Sequence, residues 1–67
     1  MEKFCERLKD LRVSNNLSVR QFAKLIGVRD TTVLRWENNT IEPTISKIIT
    51  IARIFKISAD FLLGLED

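Results

Sequence analysis

The chain has 67 residues, one cysteine and no histidine, which confines it to a single domain and excludes an internal disulfide, a histidine-based catalytic centre and a multi-ligand Cys/His metal site. A domain of this size buries only about 60% of its unfolded surface, so its 45% hydrophobic content must go into efficient helix packing or into association. Eleven basic against nine acidic side chains leave a net charge of +2, too small for the total alone to identify a polyanionic partner.

No run approaches the ~20 apolar residues of a membrane span, and Met1-Glu2-Lys3 opens without the apolar region of a signal peptide. The expectation is a soluble, cytoplasmic protein with no membrane partner. Cys5 then reads as a small, partly buried hydrophobe in a reducing compartment.

The opening segment, about Glu2 to Asn15, places Phe4, Leu8 and Leu11 at spacings of four and three, one inward stripe of a helix. Glu2, Lys3, Glu6, Lys9 and Asp10 fill the other faces and are solvated. Asn15 and Asn16 tolerate turn conformations and end this helix.

Residues 18–38, SVRQFAKLIGVRDTTVLRWEN, carry the densest local signals. Ser18 is a good N-cap, Gln21 three residues later completes a capping box, and Leu17 with Phe22 occupies the positions of a hydrophobic staple. Ala23 falls where a second helix must approach closely, and Gly27 supplies the left-handed conformation that ends a helix without a Cβ clash. Two short helices around a Gly-containing turn of about 3–4 residues form the helix-turn-helix pattern. In the second of them, about Asp30 to Asn38, Val33 and Trp36 share one face, while Asp30, Thr31 and Arg35 lie on the other. Trp36 is therefore a core residue rather than a stacking platform, and Asp30 is also a candidate N-cap.

Asn39 suits a left-handed cap, and Pro43 rules out one continuous helix through the following loop. The fourth helix, about Thr44 to Phe55, has Ile45, Ile48, Ile49, Ala52 and Phe55 as its expected inward stripe, with Lys47, Thr50 and Arg53 outside. Its β-branched residues weaken helix propensity, so burial must hold it. Ser58 caps a last short helix, Ala59 to about Leu63, closed by Gly64. Phe61, Leu62 and Leu65 form an apolar cluster; part caps the core, and the surplus offers a two-fold dimer interface. Charge is uneven: Arg20, Lys24, Arg29 and Arg35 outnumber Asp30 and Glu37 in the middle, whereas Asp60, Glu66 and Asp67 outnumber Lys56 in the tail. A polyanion would prefer the middle.

The order Phe22, Ala23, Ile26, Gly27, Val28, Val33, Trp36, Glu37, Asn38, followed by Pro43 and Thr44, resembles the helix-turn-helix domain of Cro/repressor-type (XRE-like) bacterial and phage transcription regulators, from about Leu8 to Leu63. The resemblance implies an all-α, compact bundle of five short helices, a lambda-repressor-like DNA-binding domain filling residues 1–67, acting on double-stranded DNA as a homodimer. It implies that Arg12 pairs with Glu37, tying the first helix to the third. Base-reading positions of the family fall on Arg29, Asp30, Thr31 and Arg35, with Thr32 and Leu34 nearby. Phosphate contacts fall on the amide end near Val19 and Arg20 and on Asn38, Asn39 and Thr40. Arg35 suits guanine O6 and N7, Asp30 can accept from cytosine N4, and Thr31 or Leu34 can touch a thymine methyl. The chain departs from the family pattern at Val19, where Gln is usual, at apolar Leu34, and at Asp30, which brings negative charge to the DNA.

The leading expectation is a sequence-specific DNA-binding regulator, a small repressor of phage, plasmid or mobile-element type reading a palindromic operator. The alternative is an antitoxin-like or adaptor module that keeps the fold while Val19, Asp30 and Leu34 weaken DNA contact. Nothing in the residues points to catalysis, a metal, a cofactor or a small-molecule ligand.

Overall fold

Helix α1 (Glu2–Ser14) stops where the Asn15 side chain donates to the Leu11 carbonyl at 2.7 Å and Asn16 turns into the left-handed region at φ 58°. Helix α2 (Val19–Ile26) begins at a complete capping box: the Gln21 amide donates to Ser18 Oγ at 3.0 Å, and the Ser18 amide donates to Gln21 Oε1 at 2.8 Å. It ends at Gly27, φ 81°. These bonds span three residues, so they form without reference to the rest of the chain.

The computed structural model describes residues 1–66, and Asp67, counted above in the acidic tail, lies outside them. Among the described residues the remaining helices are α3 (Asp30–Glu37), α4 (Ile45–Phe55) and α5 (Ala59–Leu63), with no strand. Helix α3 closes through Asn39 at φ 56°, where the Thr40 amide reaches the Arg35 carbonyl at 2.8 Å and the Asn39 amide reaches that of Trp36 at 3.1 Å. This is a Schellman motif with Asn in the place of Gly. Ser58 caps α5 through its bond from the Phe61 amide, and Gly64 ends it at φ 82°.

Helix α3 lies against α1 and α2, while α4 packs on α2 and α5, and α5 returns to α1. Phe4 and Trp36 meet edge to face with ring centroids 6.2 Å apart, and Phe22 stacks on Phe55 at 5.4 Å. Leu8, Val33, Ile51 and Leu62 fill the space between them and are fully buried. Each such side chain contributes about 1.5–3 kcal/mol of burial free energy, which a chain this short needs from nearly every core position.

Three expectations are corrected by this packing. Helix α4 buries Ile48 and Ile51, with Ala52 and Phe55 partly covered, whereas Ile45 is 79% exposed and Ile49 43% exposed. At about 100° per residue, Ile45 and Ile49 lie about 90–130° around the helix from the Ile48–Ile51–Phe55 face. Lys47 and Thr50, expected outside, are half-buried, and only Arg53 is fully outside. With five isoleucines distributed around α4, more than one face satisfies the helical period, and contact with α2 and α5 selects among them. Secondly, Leu62 is buried in the core and has no surface left for a second subunit. Thirdly, the N-cap of α3 is Arg29 in an extended conformation, with no side-chain cap bond, and Asp30 is already the first helical residue.

The α1–α5 junction carries a device with no sequence signature. The Arg7 guanidinium lies over the Phe61 ring, 4.3 Å from its centroid, and donates to the carbonyls of Phe61 and Glu66. It adds a second donor to the Phe61 carbonyl, which already accepts from the Gly64 amide, at the C-terminal end of α5 where positive charge is favoured. Gly64 lies against Lys3 so closely that an added Cβ would stand 2.4 Å from the Lys3 Cβ. Lys56 after α4 is left-handed at φ 55° without being glycine or asparagine.

Candidate nucleic-acid interface

Helix α3 divides cleanly along its length. Val33 and Trp36 are buried and Thr32 and Glu37 half-buried on one side, while Asp30, Thr31, Leu34 and Arg35 are exposed on the other. On the helical wheel the exposed four fall in two columns about 100° apart, Asp30 with Leu34 and Thr31 with Arg35. The first column presents a carboxylate and an apolar side chain, the second a hydroxyl and a guanidinium. Thr32 sits on the boundary beside Arg35, and Arg29 is exposed at the helix entrance.

The pairing that fixes this helix is built from three segments. Arg12 Nε donates to Glu37 Oε2 at 2.7 Å and Arg12 Nη2 to Glu37 Oε1 at 3.1 Å, a two-pronged pair between α1 and the last turn of α3. The third prong, Arg12 Nη1, donates to the Leu17 carbonyl at 3.0 Å, immediately before the Ser18 cap of α2. Arg12 therefore ties the start of α2 to the end of α3, a link that the pairing of Arg12 with Glu37 alone does not contain. The side chains keep only 14% and 7% of their exposure. The hydrogen bond to Glu37 raises the Arg12 pKa, with burial acting the opposite way and the charge of Glu37 adding to the rise. It is the only ion pair among the described residues, so Arg20, Arg29 and Arg35 face solvent with no acidic partner there.

Backbone donors separate the two expected phosphate sites. Among the described residues, the Val19 and Arg20 amides at the start of α2 have no hydrogen-bond partner, so they and the positive end of the helix dipole are available to an anion. The loop after α3 differs. Its amides are consumed in ending the helix: Asn38 donates to Leu34 at 2.9 Å, Asn39 to Trp36 and Thr40 to Arg35. Only side chains remain there, and the Asn39 Oδ1 accepts from the Met1 amino group at 3.0 Å. Val19 is half-buried and packs on the core through its side chain, which leaves its backbone alone to meet an anion.

Phe61 is half-covered by Arg7, and Leu65 is 73% exposed, so the C-terminal apolar cluster divides into core, covered and free residues. No cluster of three or more His, Cys, Asp or Glu able to hold a metal ion occurs among the described residues, and no helix there is long and apolar enough to cross a membrane.

The chain matches the Helix-turn-helix family model, HTH_3, over residues 8–62. It is 33% identical over 64 residues to the uncharacterized HTH-type transcriptional regulator YobD of Bacillus subtilis (strain 168), covering 96% of this chain and 57% of YobD. It is 31% identical over 65 residues to the HTH-type transcriptional activator BcrR of Enterococcus faecalis, covering 97% of this chain and 32% of BcrR. A crystal structure of a transcriptional regulator from Listeria innocua superposes with a TM-score of 0.88 at 33% identity, over 96% of this chain and 60% of that one. A second, an HTH_3 family transcriptional regulator from Vibrio cholerae, gives 0.80 at 28% identity, over 96% and 36%. The chain thus spans little more than half the length of YobD and about a third of BcrR. These relatives are transcriptional regulators by name. The capped α2, the Gly27 turn and the two-sided α3 occupy the residues that the family model matches, and the chain belongs to the HTH_3, XRE-like family of helix-turn-helix transcriptional regulators.

Proposed function

We propose that this protein is a cytoplasmic, sequence-specific DNA-binding repressor that lays α3 in the major groove of duplex DNA. The observation that carries the reading is the unobstructed α3 face of Asp30, Thr31, Leu34 and Arg35 beside the free amides of Val19 and Arg20. A helix needs exposed side chains at base edges and phosphate contacts that fix its register; α3 supplies the first and the start of α2 the second. Arg35 reads guanine, with Thr31 at a thymine methyl and Arg29 and Thr32 flanking them. The Arg20 side chain adds a phosphate contact, and Asn38, Asn39 and Thr40 contribute through side chains alone. Two copies bind as a homodimer through the C-terminal end, where Leu65 and the uncovered edge of Phe61 are available. The two α3 helices then stand about 34 Å apart on a palindromic operator. Repression follows from occupying that operator, the mode of a small phage, plasmid or mobile-element regulator, although BcrR is an activator by name.

A second reading, an antitoxin-like or adaptor module, draws on the exposure of Ile45 and Leu65. The two separate on salt and sequence. Purified protein is mixed with a randomised duplex library at two salt concentrations, and the retained DNA is sequenced. A palindromic motif and steep loss of binding with salt are expected. Salt-insensitive or undetectable DNA binding would overturn the DNA reading in favour of a protein partner.

A further inference from the structure

Asp30 stands in a place where a carboxylate weakens a generic DNA interface. It is exposed at the first position of α3, Arg29 provides no side-chain cap, and among the described residues no cation pairs with it. Its column-mate one turn on is Leu34, 44% exposed, which offers no donor. This edge of the helix is therefore an acceptor followed by an apolar side chain, while the basic chemistry of α3 is concentrated in the Thr31–Arg35 column.

We propose that Asp30 is a specificity-determining residue that acts by exclusion: it lowers affinity for duplex DNA in general and is tolerated only where a base presents an exocyclic amino group. This rests on the DNA-binding reading above and deepens it. A carboxylate accepts hydrogen bonds and cannot donate. In the major groove guanine shows O6 and N7 and thymine shows O4, all acceptors, which would face Asp30 with repulsion. Cytosine N4 and adenine N6 are the donors able to satisfy it. Cytosine is the better fit, because adenine places its N7 acceptor beside the amino group while cytosine has only a C–H there. Leu34, on the same column, then lies against the neighbouring pyrimidine edge, where a thymine methyl is the apolar partner.

Affinity and discrimination consequently move in opposite directions when the charge is removed. Asp30→Asn keeps the size of the side chain and gains a donor, so it accepts acceptor-bearing bases that the wild type rejects. The wild-type chain, Asp30→Asn and Asp30→Ala are each selected against the randomised library and titrated with a duplex of unrelated sequence, with helical content checked by circular dichroism. Wild type is expected to require cytosine at one position of each half-site. Both variants are expected to bind the unrelated duplex more tightly than wild type and to lose the cytosine preference by about 5- to 30-fold, with preferences at other positions retained. Adenine in place of cytosine would support the requirement for an exocyclic amino group opposite Asp30 and correct the base. A wild-type motif in which Asp30→Asn changes no preference, or folded variants that bind all DNA more weakly, would overturn the proposal while leaving the DNA-binding reading intact. Failure of the wild type to retain any duplex at low salt would overturn both.

Discussion

The two charges of the Arg12–Glu37 pair should depend on each other, so that removing both costs less than the two single losses added together. With 14% and 7% side-chain exposure, the pair lies close to the buried limit, where truncating one member costs about 3–5 kcal/mol because the other charge is stranded. Glu37→Leu strands Arg12, which keeps its bond to the Leu17 carbonyl and some solvent, so about 2–3 kcal/mol is expected. Arg12→Met strands Glu37, the more buried partner with both oxygens unpaired, and frees the Leu17 carbonyl, so about 3–4 kcal/mol is expected. The double variant should cost less than the sum by about 2 kcal/mol or more. A chain of 67 residues has a total stability of about 3–10 kcal/mol, and each kcal/mol moves its Tm by about 4–8 °C. Urea titration followed by fluorescence of Trp36, the single tryptophan and a buried one, measures all four corners of the cycle. Because the folded Arg12 pKa lies above its ordinary value, its contribution is complete at lower pH and is lost only as pH rises through that raised value. The Arg12 side of the coupling should therefore be equal at about pH 7 and about pH 10. Additive single effects, or single effects below about 0.5 kcal/mol, would refute the view that these charges are desolvated and mutually dependent.

Other predictions test the remaining assignments. Ile51→Ala should destabilise by about 2–4 kcal/mol by opening a cavity, while Ile45→Ala on the exposed first turn of α4 should stay within about 0.5 kcal/mol; chemical denaturation compares them, and equal effects would reverse the assigned face. Gly64→Ala should cost more than Gly27→Ala: both residues have positive φ, but only at Gly64 does a new Cβ collide, with Lys3, whereas Gly27 has nothing within 4 Å. Thermal melts of the pair decide it. Lys56→Gly should stabilise by about 1 kcal/mol through relief of its left-handed backbone, read from the same melts. Arg35→Ala should leave stability unchanged and weaken operator binding by about 1–3 kcal/mol with loss of one guanine preference, measured by fluorescence anisotropy; a destabilised fold would mean that Arg35 is structural.

The landmarks at Ser18, Gly27, Asn39, Ser58 and Gly64 were legible in the sequence because each rests on bonds or backbone strain within one helical turn of itself. The spacing of Val33 and Trp36 against Asp30, Thr31 and Arg35 likewise forecast the two-sided α3, since a regular helix leaves that division no freedom. Other features were decided only when distant segments met. Helix α4 carries isoleucine on several faces, so periodicity could not single out Ile51 over Ile45 before α2 and α5 covered one side. Leu62 and Leu65 are equally apolar in the chain, yet one fills the core and the other faces solvent. Asp30 had the chemistry of an N-cap, but the backbone enters α3 one residue earlier, at Arg29, which leaves the carboxylate exposed on the helix. The reach of Arg7 to α5 and of Arg12 to both Leu17 and Glu37 depends on helices separated in sequence being brought side by side. Local hydrogen bonding acts over three to six residues and is written in the sequence, whereas burial depends on which face a neighbour covers, and that is a property of the assembled bundle.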